Sequence, residues 1–438
     1  MTKEEKYTLA KWAINHAVKN GAQEVSVSIS NSQNSSIEVR DKKIDKLEQA
    51  TQNNLLIRLF VDKKYSAHST NRLKKEELTG FIEEAIAGTK YLAEDEFRTL
   101  PNPELYYKGG GNNLQILDAS FNTVQPEKKI ELAFAAEKEV LGKDERIISV
   151  STSYYDGLNE RVMVNSNGFE GDTSSSYFGI NASVSVKSGD ARPSASWNES
   201  AIFFDQLKKD GTGEIALEKA LKKIGQKKIA SGKMSMIIEN RQIGRIFSPL
   251  ISALSGSAIQ QKNSFLIDKL NEKVVSEKLS ITDNPFIPGG RGSRHFDGEG
   301  LATMKRPVFE EGILKTYYID TYYAKKLNME PTSGSITNLE FKTGDKDLEG
   351  LIKTVKKGIL VTGFNGGNSN GTTGDFSFGI EGFLIENGEI VQPVSEMNIT
   401  GNMLDLWSNI GEIGNDANTN SSWMIPSILF TRVDFSGT

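Results

Sequence analysis

Apolar residues along the chain follow two spacings, one typical of helices and one typical of strands. In the first 97 residues, apolar positions recur every three or four residues near both ends and alternate with polar positions between them. The helical stretches are residues 7–18 and 78–86, and the main alternating stretches are residues 25–29 and 55–61. This pattern predicts a small sheet with two amphipathic helices. We therefore expect an N-terminal α/β domain at residues 1–97.

The pattern is interrupted after this domain. Residues 98–125 contain two closely spaced prolines and a run of three glycines, a composition that predicts a linker. Residues 126–210 begin with a helical stretch that has proline at its first position, and continue with a segment rich in Ser, Thr, Val and Tyr. The pair Asn167-Gly168 in that segment favours a hairpin turn. We expect a middle region made of a helix and an antiparallel meander.

The remaining residues, 211–438, contain more strand patterns than helix patterns. A helix is predicted after Gly211, a short strand at residues 234–238, and an apolar helix directly after that strand, at residues 243–254. Short alternating stretches follow, separated by turn pairs such as Asn387-Gly388. We expect a larger, mostly β C-terminal domain. The fold class predicted for the whole chain is α+β, with mixed and antiparallel sheets and flanking helices.

Charge and composition restrict the classes of function. The chain has 438 residues and a formal net charge of −5, so it has no overall attraction for phosphate backbones or anionic membranes. It contains no cysteine, which removes disulfides, thiolate nucleophiles and thiolate metal ligands. The N-terminus lacks the apolar segment of a signal peptide, and no stretch approaches the roughly 20 apolar residues of a membrane span. We expect a cytoplasmic protein that binds neither nucleic acid nor membrane directly.

Histidine is the first candidate for catalytic or metal chemistry, and the chain has three. They are not spaced as a metal-binding pair, and His16 and His68 fit surface or structural roles. His295 lies in the segment GGRGSRHFDGEG, next to Asp297 and Glu299. This neighbourhood favours a ligand contact more than the other two histidines do. For the two acidic residues, a turn within a loop is the alternative interpretation.

A glycine-rich stretch at residues 363–374 is a second candidate site. Its composition predicts a long flexible loop in an otherwise structured region. Gly366, Gly367 and Gly371 would let another backbone approach closely, as in the capture of a peptide by strand addition. An ordinary mobile surface loop is the alternative, and the sequence favours neither interpretation.

Several long segments of the C-terminal half are similar to one known family. They occur in the family's order between residues 230 and 438, and include FDGEG, EEGILKTYYIDTYYAKKLN, TGDFSFGIEGF, FLIENGEI and PVSEMNITGNMLDLWSNIGEIGND. By these segments the chain resembles the TldD/TldE (PmbA) family, whose members also carry the name modulator of DNA gyrase. The resemblance implies a role in a cytoplasmic metallopeptidase that degrades or processes unfolded peptides.

The family contains two kinds of subunit. TldD-type chains carry an HExxxH motif and a C-terminal cysteine that together hold zinc, whereas TldE-type chains lack both. In the family pattern the motif starts the helix after the strand at residues 234–238. Here Asn240 takes the position of the first histidine, Arg241 that of the glutamate and Arg245 that of the second histidine. Guanidinium groups have no free lone pair for a metal, and two of them on one helical face would repel a cation.

The resemblance therefore implies a TldE-type, non-catalytic subunit with no metal or cofactor of its own. Zinc is expected in a TldD-type partner, and the complex would act on unfolded peptide. Two alternatives stay open. One is a stand-alone homodimer that binds peptides or serves as a scaffold, and the other is a metal-independent hydrolase that uses His295 with nearby acids. The effect on gyrase that the family name describes is expected to be indirect.

Overall fold

Six antiparallel strands from the first half of the chain form one sheet. The computed structural model describes residues 1–437. The strands are β1 (Glu24–Arg40), β2 (Lys43–Val61), β3 (Lys64–Thr70), β4 (Ile147–Asn165), β5 (Glu170–Val186) and β6 (Ser194–Ala201). Their order across the sheet is β3-β2-β1-β4-β5-β6, so β1 and β4 lie at its centre. The predicted turn at Asn167-Gly168 joins β4 to β5, which confirms the hairpin.

One face of this sheet is apolar and carries four helices. They are α1 (Lys3–Lys19), α2 (Lys75–Thr89), α3 (Pro126–Lys138) and α4 (Thr212–Lys222). Because side chains alternate between the two faces of a strand, Val25, Val27 and Ile29 of β1 all point to this face, where they pack with α1 and α2. α1 begins after Thr2, whose hydroxyl accepts a hydrogen bond from the backbone of Glu5.

The predicted N-terminal domain and the predicted middle region contribute strands to the same sheet. β1 pairs with β2 along its whole length and with β4 from Ser26 to Arg40. α4 also belongs to this part of the molecule, since Ala216 and Ala220 pack against β5 residues such as Val184. The first structural unit therefore extends through α4. The long pairing of β1 with β4 joins the predicted N-terminal domain to the predicted middle region, and it connects positions more than a hundred residues apart in the sequence.

Residues 98–125 pass between the two parts of the molecule and are packed rather than free. Leu100, Tyr106 and Phe121 are buried. The backbone N–H of Tyr107 donates to the carbonyl of Gly300 at 3.0 Å. The segment contains only two short 3-10 turns, at Pro103–Leu105 and Phe121–Thr123. Its path brings it against the segment around His295.

The C-terminal part contains two sheets. The larger has seven strands, which are β7 (Gly232–Ile238), β12 (Lys357–Phe364), β13 (Asn368–Ser369), β14 (Asp375–Glu386), β15 (Glu389–Asn402), β16 (Ile410–Ile413) and β18 (Ile428–Ser436). The smaller has five strands, which are β8 (Ile281–Asp283), β9 (Arg306–Glu310), β10 (Ile313–Leu314), β11 (Leu339–Phe341) and β17 (Trp423–Met424). The helices are α5 (Gly244–Ser252), α6 (Gly256–Gln260), α7 (Thr321–Leu327), α8 (Leu348–Lys353) and α9 (Met403–Ser408).

Strand pairing closes part of the larger sheet into a ring. β14 pairs with β15 on one side and with β12 on the other, and β12 continues through β7 and β18 back to β15. Only the pair of β7 with β12 is parallel in this ring. α5 covers one surface of the sheet, and its Phe247 is fully buried against Phe341, Trp407 and Trp423. The apolar helix predicted after the strand at 234–238 is confirmed as α5.

The structure confirms the predicted fold class, because antiparallel and mixed sheets are flanked by helices rather than alternating with them. The C-terminal part is mostly β, as expected. Among the helices of residues 1–437, none has the length and apolar character needed to cross a bilayer.

Candidate functional site

The segment after β7 holds the three positions assigned to the altered metal motif. β7 ends at Ile238, and a turn precedes the start of α5 at Gly244. Arg241 is therefore in the turn, whereas Arg245 is in the helix. The expectation that both arginines share one helical face is wrong, because the helix begins three residues after Arg241.

Asn240 is fixed by the C-terminal end of the chain. Its side-chain N–H donates to the carbonyl of Asp416 at 2.5 Å, and its backbone N–H donates to Ser427 Oγ at 3.0 Å. Ser427 Oγ itself donates to Asp416 Oδ2 at 2.7 Å. These bonds connect β7, the start of β18 and the loop before β17. The amide of Asn240 is therefore occupied by a structural network.

The two guanidinium groups point to different neighbours. Arg241 Nη1 donates to the carbonyl of Asn198 in β6 at 2.9 Å. Arg245 Nη2 donates to the carbonyl of Gly367 at 2.6 Å, and its guanidinium lies 5.0 Å from the ring centre of Phe378. Arg241 thus reaches across to the six-stranded sheet, while Arg245 holds the glycine-rich segment.

The residues at these positions do not fit a zinc ion. Zinc in proteins takes thiolates, imidazoles and carboxylates, whereas Asn240 offers an engaged amide and the two arginines offer only N–H donors. Within residues 1–437, no three side chains of His, Cys, Asp or Glu come together in a way that could hold a metal ion. The nearby carboxylate of Asp416 accepts hydrogen bonds from the backbone and hydroxyl of Ser427.

A cleft of about 960 Å³ lies beside Arg241, between the two parts of the molecule. β6 and α4 form one side, and β12, β14 and β15 form the other. Two ion pairs cross it: Lys219 Nζ lies 2.7 Å from Glu239 Oε1, and Lys223 Nζ lies 2.5 Å from Glu381 Oε1. Since all four side chains are largely buried, these pairs fix the relative position of the two parts.

Trp197 and Glu199, which the sequence pattern did not indicate, organise this cleft. The guanidinium of Arg241 lies 3.6 Å from the ring centre of Trp197, and Trp197 Nε1 donates to Glu199 Oε1 at 2.8 Å. Glu199 Oε1 is also 3.7 Å from Arg241 Nη2. The sequence feature that could have indicated this contact is the single tryptophan in the otherwise polar strand β6. A large aromatic ring on such a strand indicates a specific contact with another part of the fold.

His295 lies against the segment 98–125. Its ring stacks on Tyr107 with the ring centres 5.2 Å apart, and Nε2 is 3.1 Å from the carbonyl oxygen of Asn112. Gly111 packs directly under the ring, where a side chain would not fit. Among the contacts of residues 1–437, no hydrogen bond or ion pair joins His295 to Asp297 or Glu299. The structure therefore gives this histidine no acidic partner for a hydrolytic role.

Asp297 and Glu299 have separate environments. Asp297 is buried, and its Oδ1 accepts hydrogen bonds from the backbone of Glu299 at 2.8 Å and of Leu301 at 3.1 Å. Glu299 Oε2 accepts from the backbone N–H and the hydroxyl of Thr321 at the start of α7. Burial raises the pKa of Glu299 to about 7, and the carboxylates of Asp297 and Asp320 add to that effect. Turn formation, the alternative interpretation from sequence, describes Asp297 well.

The glycine-rich segment is more ordered than its sequence predicts. Within it, Asn368–Ser369 form β13, which pairs with the start of β14. Gly367 has φ 91° and packs so closely on Ser377 that no side chain fits. The carbonyl of Gly371 accepts a hydrogen bond from Phe265 at 3.0 Å. The prediction of one continuous loop is therefore wrong, because residues 368–369 pair with β14 and the residues on either side make these contacts. Gly366 is the open position, with nothing within 4 Å of where a side chain would start.

Comparison with known proteins identifies the class to which this chain belongs. Three family models match consecutive parts of the chain: PmbA/TldA metallopeptidase domain 1 at residues 25–88, the central domain at 119–224, and the C-terminal domain at 231–437. These are the domains of a metallopeptidase family. The chain belongs to the PmbA/TldD family, as the resemblance predicted.

Individual relatives match over nearly the whole chain. A metalloprotease PmbA homolog from Haemophilus influenzae is 30% identical over 433 residues, covering 97% of this chain and 95% of that protein. The crystal structure of a candidate modulator of DNA gyrase from Bacteroides thetaiotaomicron is 52% identical, with a TM-score of 0.98 and full coverage of both chains. TldE from Thermococcus kodakarensis shares the fold, with a TM-score of 0.84 at 23% identity over 98% of this chain and all of that one. Homologues named TldD also exist.

Proposed function

We propose that this chain is the metal-free, non-catalytic subunit of a two-subunit metallopeptidase, and that it acts beside a zinc-bearing TldD-type chain on unfolded peptides. The proposal rests on one observation: the positions of the zinc motif hold Asn240, Arg241 and Arg245, and each of these side chains has a structural partner. The motif positions therefore serve packing in this chain.

The energetics of these contacts support a structural role. Arg241 bridges the two parts of the chain through Asn198, Glu199 and Trp197. A charged hydrogen bond of this kind contributes roughly 1.5–3 kcal/mol. A zinc ligand in place of Arg241 would remove these contacts between the two parts of the chain. In our proposal the arginine therefore has a structural role.

The polar face of the six-stranded sheet supports the proposal that the complex acts on unfolded peptides. Opposite the helices, β1 carries Ser30 and Ser32, and β5 carries Thr173 and Ser175. Hydroxyl groups both donate and accept hydrogen bonds. They can therefore bind the backbone N–H and carbonyl groups of a peptide whatever its sequence. In our proposal this face forms one wall of the chamber in which the partner subunit cleaves peptide.

Co-expression with the TldD-type chain from the same source tests the proposal. We expect a stable complex with about one zinc bound by the TldD-type chain. Peptidase activity on an unfolded protein such as casein should require both chains and should be lost with EDTA. The chain described here, purified alone, should show neither zinc nor activity. Peptide cleavage by this chain alone, inhibited by EDTA, would refute the assignment.

Two variants separate the proposal from its alternatives. His295→Ala in this chain should leave the activity of the complex unchanged, because the contacts of the His295 ring with Asn112, Tyr107 and Phe286 are structural. Loss of activity in a folded His295→Ala complex would favour the metal-independent hydrolase. Changing the motif glutamate of the TldD-type chain to glutamine should abolish activity. A stable homodimer that does not bind the TldD-type chain would favour the stand-alone scaffold.

A further inference from the structure

A second cavity, of about 410 Å³, lies where the polar face of the six-stranded sheet meets the segment GGRGSRHFDGEG. Three arginines line it: Arg161 comes from β4, and Arg291 and Arg294 come from that segment. Neither the family assignment nor the proposed function uses these residues. We refer to this site as the three-arginine cavity.

The positive charge in this cavity is not balanced. Ion pairs of arginine within 4.0 Å in residues 1–437 involve Arg40, Arg146, Arg241 and Arg306, and none of the three cavity arginines. Within residues 1–437, the single carboxylate that lines the cavity is Asp297. Its Oδ1 already accepts two backbone hydrogen bonds. Three guanidinium groups and one carboxylate leave a net charge of about +2 in the cavity.

Burial makes this charge costly. It lowers the pKa of Arg161, Arg291 and Arg294. Asp283 and then Asp297 oppose the effect for Arg294, Asp297 opposes it for Arg161, and no carboxylate opposes it for Arg291. Nε of Arg294 is buried and has no hydrogen-bond partner. By accessible surface the three arginines are half-buried. Partial removal from water without an ion-pair partner favours the binding of an anion that balances the charge. The cavity therefore has the electrostatics of a binding site for an anion.

Each guanidinium is held in place by only part of its donor set. Arg161 Nε donates to Ser28 Oγ at 2.6 Å, and Arg291 Nη2 donates to Ser200 Oγ at 2.8 Å. Arg294 Nη2 donates to the carbonyl of Ile336 at 2.6 Å. A guanidinium has five N–H donors, so each side chain is oriented and still has donors for a ligand.

The backbone around the cavity is rigid. The N–H of Gly292 donates to Asn338 Oδ1 at 2.8 Å, and Ser293 Oγ donates to the carbonyl of Ile287 at 2.7 Å. A side chain at position 292 would collide with the carbonyl of Thr337, so only glycine fits there. Because the loop is already ordered, a ligand would lose little binding energy in ordering it.

Hydroxyl groups complete the lining. Thr173, Ser175 and Tyr177 alternate on one face of β5, and all three line the cavity, with Arg161 paired opposite Thr173. Hydroxyl and guanidinium donors together are the groups that bind oxygen-rich anions. Guanidinium in particular matches the spacing of phosphate oxygens with two parallel hydrogen bonds.

We propose that the three-arginine cavity binds a phosphate dianion, either as inorganic phosphate or as the phosphate group of a small phosphomonoester. A phosphomonoester carries about −1.5 to −2 charges near neutral pH, which matches the charge of the cavity. The cavity volume of about 410 Å³ exceeds that of a single phosphate and falls within the range of small-molecule sites. The cavity shares Thr173 and Ser175 with the face proposed to contact peptide. Phosphate binding is measured on this chain without peptide or partner, so its failure is distinguishable from failure of the proposed function.

Calorimetric titration of the full chain at constant ionic strength tests this proposal. The probes are inorganic phosphate, glycerol 3-phosphate and succinate, a dicarboxylate of the same charge. We expect saturable binding of a phosphate probe and at least about tenfold weaker binding of succinate, because the guanidinium donors match phosphate geometry. Tighter binding of glycerol 3-phosphate than of inorganic phosphate would identify an ester as the ligand class, and the reverse would identify the free ion.

Variants locate the site. Arg291→Gln should weaken phosphate binding about tenfold or more, since one charged hydrogen bond contributes that much. Arg291→Lys, which keeps the charge and loses the two-pronged geometry, should give a smaller loss. Arg192→Gln, at an exposed arginine away from the cavity, is the matched control and should bind as the unmodified chain does. Ser175→Ala is a milder change if Arg291→Gln does not fold, and it should also weaken binding.

Three results would overturn the proposal. The first is no binding of either phosphate probe at concentrations up to about 10 mM, because a specific site should have a dissociation constant below that value. The second is equal binding of succinate and phosphate. The third is equal loss of binding in Arg192→Gln and Arg291→Gln, which would indicate only a general effect of surface charge.

Discussion

Glu299 offers a test of how burial controls ionisation in this protein. Its carboxylate accepts two hydrogen bonds from Thr321 but is largely removed from water and lies near Asp297 and Asp320. The perturbation is Glu299→Gln, which keeps the side-chain oxygen that accepts those hydrogen bonds and removes the ionisation. Because the glutamine is neutral at every pH, it isolates the free-energy cost of the ionised carboxylate in the folded state.

The size and sign of the effect follow from the pKa. Folding raises the pKa of Glu299 from 4.5 to about 7, so the folded state holds the proton more tightly than the unfolded state does. The stabilising contribution of the protonated group is fully present below about pH 4.5 and is lost as the pH rises through about 7. At pH 8 the ionised group should therefore cost the native chain roughly 3 kcal/mol relative to its protonated form.

Unfolding in urea at a series of pH values measures this effect. Glu299→Gln should be up to roughly 3 kcal/mol more stable than the native sequence at pH 8, and the difference should shrink steadily toward pH 4.5. Glu389→Gln is the control, because Glu389 is exposed at the start of β15, and its difference should stay constant and small. If the stability difference for Glu299→Gln does not vary between these pH values, the carboxylate is not desolvated and the reasoning fails.

Further predictions concern the core, a turn and a buried ion pair. Phe247→Ala should lower the free energy of unfolding by ~3–5 kcal/mol, because Phe247 is fully buried among aromatic rings; a loss below about 1 kcal/mol in urea titration would contradict that packing. Gly367→Ala should lower the melting temperature more than Gly366→Ala. Both residues have positive φ, 91° and 80°, but only at Gly367 would the added carbon meet the β14 backbone, so equal shifts would argue against the close approach. Lys129→Met should cost ~3–5 kcal/mol in the same titration, since Asp156, now 2.6 Å from the ammonium group, would keep a buried charge without its partner. Adding Asp156→Asn should recover part of that loss, and no recovery would mean that the cost comes from packing.

Local patterns predicted most of the elements. Periodicity located α1, α2 and α5, and the turn pairs Asn167-Gly168 and Asn387-Gly388 located two hairpins. These signals succeed because helical spacing, strand alternation and turn conformation each depend on residues close together in the chain. The same locality limits them, since the stretch predicted at 25–29 is only the first part of a strand that continues to Arg40.

The candidate site shows a different limit. The resemblance to the family placed Asn240, Arg241 and Arg245 at the positions of a metal motif, and residue type alone shows that guanidinium groups do not ligate metal. The sequence did not predict their partners, which are Asp416, Asn198 and Gly367. Each partner is more than forty residues away in the chain, and no spacing rule connects a partner to its motif position. The same holds for the three-arginine cavity, where β4 meets a loop of the C-terminal part.

The sequence by itself determined the family and the fold class, since both depend on residue identity and short-range pattern. Only the tertiary structure decided that the N-terminal and middle regions share one sheet, that the glycine-rich segment is paired with β14, and that three arginines meet in one cavity. Those outcomes depend on strand pairing and packing between distant segments. Such contacts gain their free energy only when the whole chain is folded, and no local pattern encodes them.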